Sequence, residues 1–504
     1  MTPPQNEGHR WWALHRDAFA VFGLIVALSA IGIAVTHGYV MDDAFITLRY
    51  AFHFGTTGRY AWNPPGVDAP VLGTTSLLWT LMASGAAVVV RDREAMVPAI
   101  RVLECLVLAA IAWVFAARIA RLKLGLAAKC AVAAAIFGQA GWGFHVNSAM
   151  DTLLGALTCL LVVRAVERRA PYPIRYGLAA IAFLARPEAL VIGPLLAAFD
   201  LARGRRREAS LGLSIVAIAV AIVAALLTVR FGTPLPLSWT VKHGLSMNAA
   251  IHAAFFVGTA AAPYFFFSAV GAVRRKEPGA IVGLAIGVTY TVGLLVVRPY
   301  MDLVHRFHWA ALTALQYGSL TAVDTIARAT LRRAGALLFA LDLRTSVCAF
   351  VMAAENGPFE DNLAIVGRAL ARHPIRGRLA LNEAGAMPFY SDLPTIDLGG
   401  LNDRAIAAGR ISPEQAACGD VVGLVLLVGP ASSGKTPNDD PLVACGLRAT
   451  AEVPLAVDAD LVLRLNGRDA EEVDRLFREA VTDPTAGKIP LQRFAELIGF
   501  HPWS

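Results

Sequence analysis

The stretch GYVMDDAFITLRYA, residues 38–51, sets two carboxylates, Asp42 and Asp43, directly after a long apolar run and follows them with Arg49 and Tyr50. A carboxylate can take the proton of a hydroxyl as that hydroxyl attacks a carbon. Two adjacent carboxylates can also hold a divalent cation, although such sites commonly recruit further oxygen ligands, which the sequence does not locate. The plain alternative is a helix N-cap with a solvated neighbour.

Other chemistry-bearing residues recur at the ends of later apolar runs. Asp151 follows Met150, Arg186-Pro187-Glu188 interrupts another run, and Arg230-Phe231-Gly232-Thr233-Pro234-Leu235-Pro236 leads to Lys242. Arg298, Asp302, His305 and Arg306 form a fourth group. Guanidinium and ammonium groups can stabilise a departing phosphate as its charge grows. A cavity gathering the early acids and the later bases would have the chemistry to transfer a group from a lipid phosphate to a hydroxyl. For Arg49, Lys242, His305 and Arg306 the competing role is contact with the membrane interface. For Arg186 and Glu188 it is a structural ion pair.

The elements that must position these residues are membrane helices. The chain has 504 residues, of which 56% are hydrophobic and 16% charged, and its mean hydropathy is +0.55; soluble globular proteins are more polar. The first apolar stretch, Ala18 to about Tyr39, has the length of a span and lacks a signal-peptide cleavage site, so it is expected to remain as an anchor. A net charge of +7 does not point to nucleic acid, because the basic residues fall in short clusters between apolar runs, as the positive-inside rule requires. These clusters are Arg10/Arg16, Arg118/Arg121/Lys123/Lys129, Arg164/Arg168/Arg169/Arg175, Arg203/Arg205/Arg206/Arg207, Arg274/Arg275/Lys276 and Arg328/Arg332/Arg333.

If all six are cytoplasmic, each interval between them crosses the membrane an even number of times. Spans are expected over about 96–117, 125–147, 151–166, 209–230, 249–272, 279–297 and 308–327. Residues 176–201 are too few for two full spans at 1.5 Å per residue, so two half-depth helices should meet near Arg186-Pro187-Glu188. The apolar run 74–90 would break the parity as a span and is read as an interfacial helix, with Trp79 at the interface. A last stretch, 334–353, interrupted by Asp342 and Arg344, brings the count to about eleven. The expectation is therefore a membrane domain over residues 1–353 and a small extracytoplasmic α/β domain over 354–504, where short apolar runs alternate with Gly, Pro and Asp.

Cys105, Cys130, Cys159 and Cys348 lie in apolar segments and read as packing residues, whereas Cys418 and Cys445 could pair in an oxidising compartment. Gly429-Pro430-Ala431-Ser432-Ser433-Gly434-Lys435-Thr436 matches the phosphate-loop pattern after a strand-like run. The following PNDDP cannot readily open the helix that such a loop needs, and the segment is expected outside the cell, so no nucleotide partner is inferred.

Taken in order, DDAFITLRYAFHFGTTGRYAWNPPG, GTTSLLWTLMAS, SAMDTLLGALTCLL, LARPEAL, RFGTPLPLSWTVKHG, HRF and NEAGAMPFYSDLPTIDLGGLND resemble the polyprenyl-phosphate-sugar-dependent glycosyltransferases of the GT-C superfamily, most nearly the actinobacterial arabinofuranosyltransferase B group. The resemblance implies a GT-C-like fold with interfacial helices in the first outer loop. It also implies inverting transfer of a sugar, arabinofuranose in that group, from a polyprenyl phosphate to a cell-envelope glycan hydroxyl outside the inner membrane. The general base would be Asp42 with Asp43 beside it. Arg49, Lys242, His305 and Arg306 would face the donor phosphate, and Tyr50, Asp151, Arg186 and Glu188 would line the cavity.

The partners implied are the lipid-linked donor, a glycan or lipid-linked acceptor and the bilayer; a divalent metal is compatible with the acids but not required. Departures include Asp151 where related sequences tend to have Glu, Leu237 in place of Asn, no Gly-Gly-Asp-Trp before His305, and a shorter outer domain. They bear on the sugar and acceptor more than on the fold. Glycosylation of lipid A or of a surface protein would use the same donor class. A transporter is the rival from another class, but no internal repeat of the kind many transporters carry is visible.

Overall fold

The computed structural model describes residues 5–64, 66–67, 70–241, 247–295, 302–323, 344–354 and 378–418, with all of 363–371 except 365 and 369. Of residues 5–13, 240, 248 and 414, and of the strands within 423–465, it describes the backbone alone. The helices are α1 (Gln5–Val35), α2 (Asp42–Thr57), α3 (Leu77–Val90), α4 (Arg93–Ile119), α5 (Leu126–Phe137), α6 (Gly141–Asn147), α7 (Thr152–Glu167), α8 (Tyr172–Ala185), α9 (Ile192–Ala202), α10 (Arg206–Phe231), α11 (Leu237–Val241), α12 (Met247–Phe256), α13 (Ala262–Arg275), α14 (Pro278–Gly293) and α15 (Trp309–Val323). Then follow α16 (Arg344–Ala354), α17 (Ala386–Ser391), α18 (Arg404–Ala407) and α19 (Pro413–Ala417). Among the described residues four helical segments, Leu14–Val35, Arg93–Ile119, Arg206–Phe231 and Ala249–Arg275, are long and apolar enough to cross a membrane.

The chain divides into two compact units. The first comprises Met1–His37, Arg101–Val223 and His243–Phe350. Its helices approach through small residues, which let backbones come close where no water is available to drive association. A Cβ on Gly143 of α6 would stand 2.0 Å from the backbone of Gly32 in α1, and one on Gly283 of α14 would stand 2.7 Å from the Ala314 carbonyl of α15. The expected pair of half-length helices is present as α8 and α9. They are joined at Arg186 by the short 3₁₀ turn Pro187–Val191, where proline denies the chain a helical hydrogen bond.

One expected span is corrected. Residues 125–147 do not form a continuous helix; α5 stops after 12 residues and α6 adds 7, with Gly138 at the break. There the rings of Phe137 and Trp142 stack at 4.7 Å, and the Trp142 indole donates to the Ile136 carbonyl at 2.9 Å. The broken ladder is thus partly re-satisfied by a side chain.

The second unit comprises Gly38–Ile100, Ala224–Lys242 and Val351–Ser504. Its helix α2 starts with Asp42 and Asp43 in the first turn, where carboxylates favour the positive end of the dipole, and stops at Gly58 in the left-handed region, φ 71°, as helices commonly do. The 14 residues of α3 reach only about 21 Å, short of the roughly 30 Å hydrocarbon core. α3 packs on α2 so closely that a Cβ on Gly55 would meet the Ser84 carbonyl at 2.5 Å.

The C-terminal part carries a five-stranded sheet in the order β2-β1-β3-β5-β4, with β1 Leu379–Leu381, β2 Thr395–Asp397, β3 Gly423–Val428, β4 Arg448–Ala456 and β5 Ala459–Leu465. β1 runs parallel to β2 and β3, while β5 pairs antiparallel with β3 and β4. Cys418 is disulfide-bonded, whereas Cys105, Cys130, Cys159 and Cys348 are free. Cys445 and the phosphate-loop-like 429–436 lie outside the described residues.

Candidate active site

Asp42 opens α2 and is 4% exposed, with its Oδ1 accepting the Ala386 backbone N–H at 2.7 Å. This contact requires a residue without a side chain just before Ala386, because a Cβ on Gly385 would fall 2.1 Å from the Asp42 carboxylate. The crossover from β1 to β2 carries both groups. Glu383 follows the end of β1 and Asp397 ends β2, so two more acids stand at the carboxyl edge of parallel strands, where open α/β sheets commonly bind ligands. The Asp397 carboxylate accepts from the Asn402 backbone and side-chain amides, each at 2.9 Å, and from the Gly399 N–H at 2.9 Å. Asp43, next on α2, is half-buried.

The electrostatics bind these acids into one group. Burial pushes Asp42 up to about 7, and its neighbours Asp43 and Asp397 add to the rise against the pull of the Ala386 N–H. Glu383 is pushed up to about 9 by burial and by Asp42, Asp43 and Asp397. Asp397 rises to about 6 through burial, restrained by its bonds to Asn402. Clustered carboxylates cannot all ionise, so at neutral pH the cluster both holds protons and offers a basic oxygen. Among the described residues no group of three or more His, Cys, Asp or Glu side chains is arranged to hold a metal ion.

Two residues assigned to the cavity from sequence have other work. Arg49 is corrected: it is 1% exposed and gives its N–H groups to the carbonyls of Trp62 at 2.8 Å, Pro388 at 2.6 Å and Leu393 at 2.7 Å. Its guanidinium also lies 4.6 Å over the Trp62 ring. With three of its N–H donors spent on main-chain carbonyls and a fourth on Asn63 Oδ1 at 3.4 Å, it holds the 383–394 crossover against α2 rather than waiting for a phosphate. Tyr50, fully buried, donates from its hydroxyl to Asn402 Oδ1 at 3.1 Å and accepts from the Gly73 N–H at 3.1 Å. A Cβ on Gly73 would come 2.0 Å from Asn402 Oδ1, so Tyr50 forms a joint rather than a cavity wall.

The first unit holds Asp151, Arg186, Glu188, His305 and Arg306. Arg186 bonds Asp151 Oδ1 and Glu188 Oε1, each at 2.9 Å, and its aliphatic stem fills the place where a Cβ of Gly155 would stand, 2.5 Å away. The three form an ion triad, with Arg186 and Asp151 buried and Glu188 half-buried. His305 contacts the Thr259 hydroxyl at 3.3 Å and lies 5.5 Å from the rings of Phe255 and Phe256. Burial pushes it down to about 4, against the pull of Asp302, so it offers an N–H but no charge at neutral pH. Arg306 is 3% exposed and lies 4.6 Å over Phe307. Lys242 and Arg298 lie outside the described residues.

Sequence reasoning does not single out Glu383, Asp397 or His308. His308 Nδ1 pairs with Asp302 Oδ2 at 2.9 Å. Glu383 and Asp397 sit inside NEAGAMPFYSDLPTIDLGGLND, one or two residues after the last aliphatic side chain of a short strand, Leu381 and Ile396, which was the available signal. Glu104, fully buried in α4 with no hydrogen-bond partner for either oxygen among the described residues, was likewise visible as a lone carboxylate in an apolar run.

A family profile described as a domain of unknown function (DUF8728) matches residues 356–437. No curated protein matches by sequence. Among solved structures, ArnT from Cupriavidus metallidurans bound to undecaprenyl phosphate is similar with a TM-score of 0.58 at 13% identity, covering 87% of this chain and 97% of its own. Its apo form gives 0.57 at 13%, covering 88% and 98%. The apo oligosaccharyltransferase of Archaeoglobus fulgidus gives 0.50 at 12%, covering 80% and 69%. At these identities the likeness is one of fold: the chain is a polytopic α-helical membrane protein of GT-C-like architecture.

Proposed function

We propose that the protein is a membrane glycosyltransferase that moves one sugar from a polyprenyl phosphate to a hydroxyl of a cell-envelope glycan, with inversion at the anomeric carbon. The observation that carries this reading is the buried carboxylate cluster about Asp42, whose basicity near pH 7 suits a general base, on a fold shared with a structure that holds undecaprenyl phosphate. Asp42, held by the Ala386 N–H, takes the hydroxyl proton as the oxygen attacks, with Asp43, the more accessible of the pair, beside it. For the departing phosphate we retain Lys242 and Arg306, on residue chemistry alone. Arabinofuranose is the sugar we assign, and it rests on the sequence resemblance. The parity of basic clusters supports an inner-membrane location with the active side and residues 354–504 extracytoplasmic.

The test is transfer by purified protein offered a panel of polyprenyl-phosphate sugars, with Asp42→Asn and Asp43→Asn alongside. Each substitution is expected to lower turnover by about 10²–10⁴-fold, the usual worth of a positioned base. Full turnover in both variants would remove the carboxylate pair from the mechanism.

A further inference from the structure

A second feature of the same unit is a cleft of about 530 Å³ where α3 ends and α4 begins, lined by Phe52, Arg91, Asp92, Arg93, Glu94, Arg368, Ala371, Tyr390 and Asp392. That volume lies in the range of small-molecule sites. We infer that it binds an uncharged, hydroxyl-rich glycan, as an outlying subsite for the acceptor chain; the acceptor role rests on the glycosyltransferase reading, the glycan chemistry does not.

Charge argues for the ligand class. The lining holds three arginines and three carboxylates, so an arriving phosphate or sulfate would meet an acid for every guanidinium. Donors and acceptors side by side instead suit a polyol, whose hydroxyls do both. Two of the three arginines are also paired and stacked. Arg93 pairs with Asp392 at 2.7 Å and lies 4.7 Å over the Phe52 ring. Arg368 grips Glu94 through two bonds of 2.7 and 2.9 Å and lies 4.2 Å over Tyr390. Stacked, paired guanidiniums lose little freedom when they bind. Position agrees as well, because Phe52 lies ten residues beyond Asp42 on α2, about 15 Å along the helix, a distance that a short oligosaccharide spans.

Labelled full-length protein in detergent is applied to an array of neutral, sulfated and sialylated oligosaccharides, beside Arg91→Gly and Glu94→Gln. Arg91 has φ 48°, where glycine is at ease, so its loss removes the side chain without straining the backbone. Neutral oligosaccharides should bind the parent protein, and both variants should bind at least about fivefold more weakly with unchanged melting midpoints. Binding confined to sulfated or sialylated glycans, equal binding by the variants, or no binding at all overturns the inference. Sugar transfer is measured on the same preparations. Transfer without array binding sinks the subsite alone, and array binding without transfer sinks the enzymatic reading while the glycan cleft stands.

Discussion

Asp42 illustrates how one side chain acquires reactivity from its surroundings. Placed in water it would ionise near its ordinary value of 3.8, and burial beside Asp43 and Asp397 lifts it to about 7. The base works only when ionised, so activity should rise with pH through about 7 and fall on the acid side. A pH profile of kcat/KM whose acid limb lies near 4 would show that no buried carboxylate of this cluster is the base. The adjacent acids were legible as chemistry because like charges side by side at the end of an apolar run need a reason. Glu383 and Asp397 were not, since their proximity to Asp42 depends on the crossover after β1 and leaves no local pattern. Arg49 was misread for a related reason: an arginine near acids looks like an anion site until its carbonyl partners, more than 300 residues away in the cases of Pro388 and Leu393, are seen.

At the scale of elements, close packing explains where glycines stand. Gly143 lets α6 lie directly against α1, and Gly177 of α8 faces nothing within 4 Å. Gly143→Ala should therefore cost about 1–3 kcal/mol through overpacking, while Gly177→Ala should be neutral or slightly stabilising. Apparent melting midpoints of the two variants check this, and equal values would contradict the α1–α6 crossing. Helices with strong apolar runs, such as α4 and α10, were legible because length and composition alone decide whether a segment can span. The break between α5 and α6 was not. Gly138 permits it, but the Phe137–Trp142 stack and the Trp142 bond to Ile136 are what stabilise it.

For the whole molecule, orientation is a statement about charge. If the basic clusters face the cytoplasm, a membrane-impermeant maleimide should label Thr56→Cys in intact spheroplasts and Arg275→Cys only after lysis, both positions being exposed; the reverse pattern would invert the proposed topology. That this is a multi-helix membrane protein with an α/β part near its C-terminus can be read from the chain alone, because the cost of burying charge in hydrocarbon is written residue by residue. That residues 38–100 and the 383–403 region form one unit, with Gly385 and Ala386 set on the Asp42 carboxylate, emerges only in the folded chain. That pairing joins segments more than 300 residues apart, and contacts at such range follow from shape and packing rather than from any periodicity along the chain.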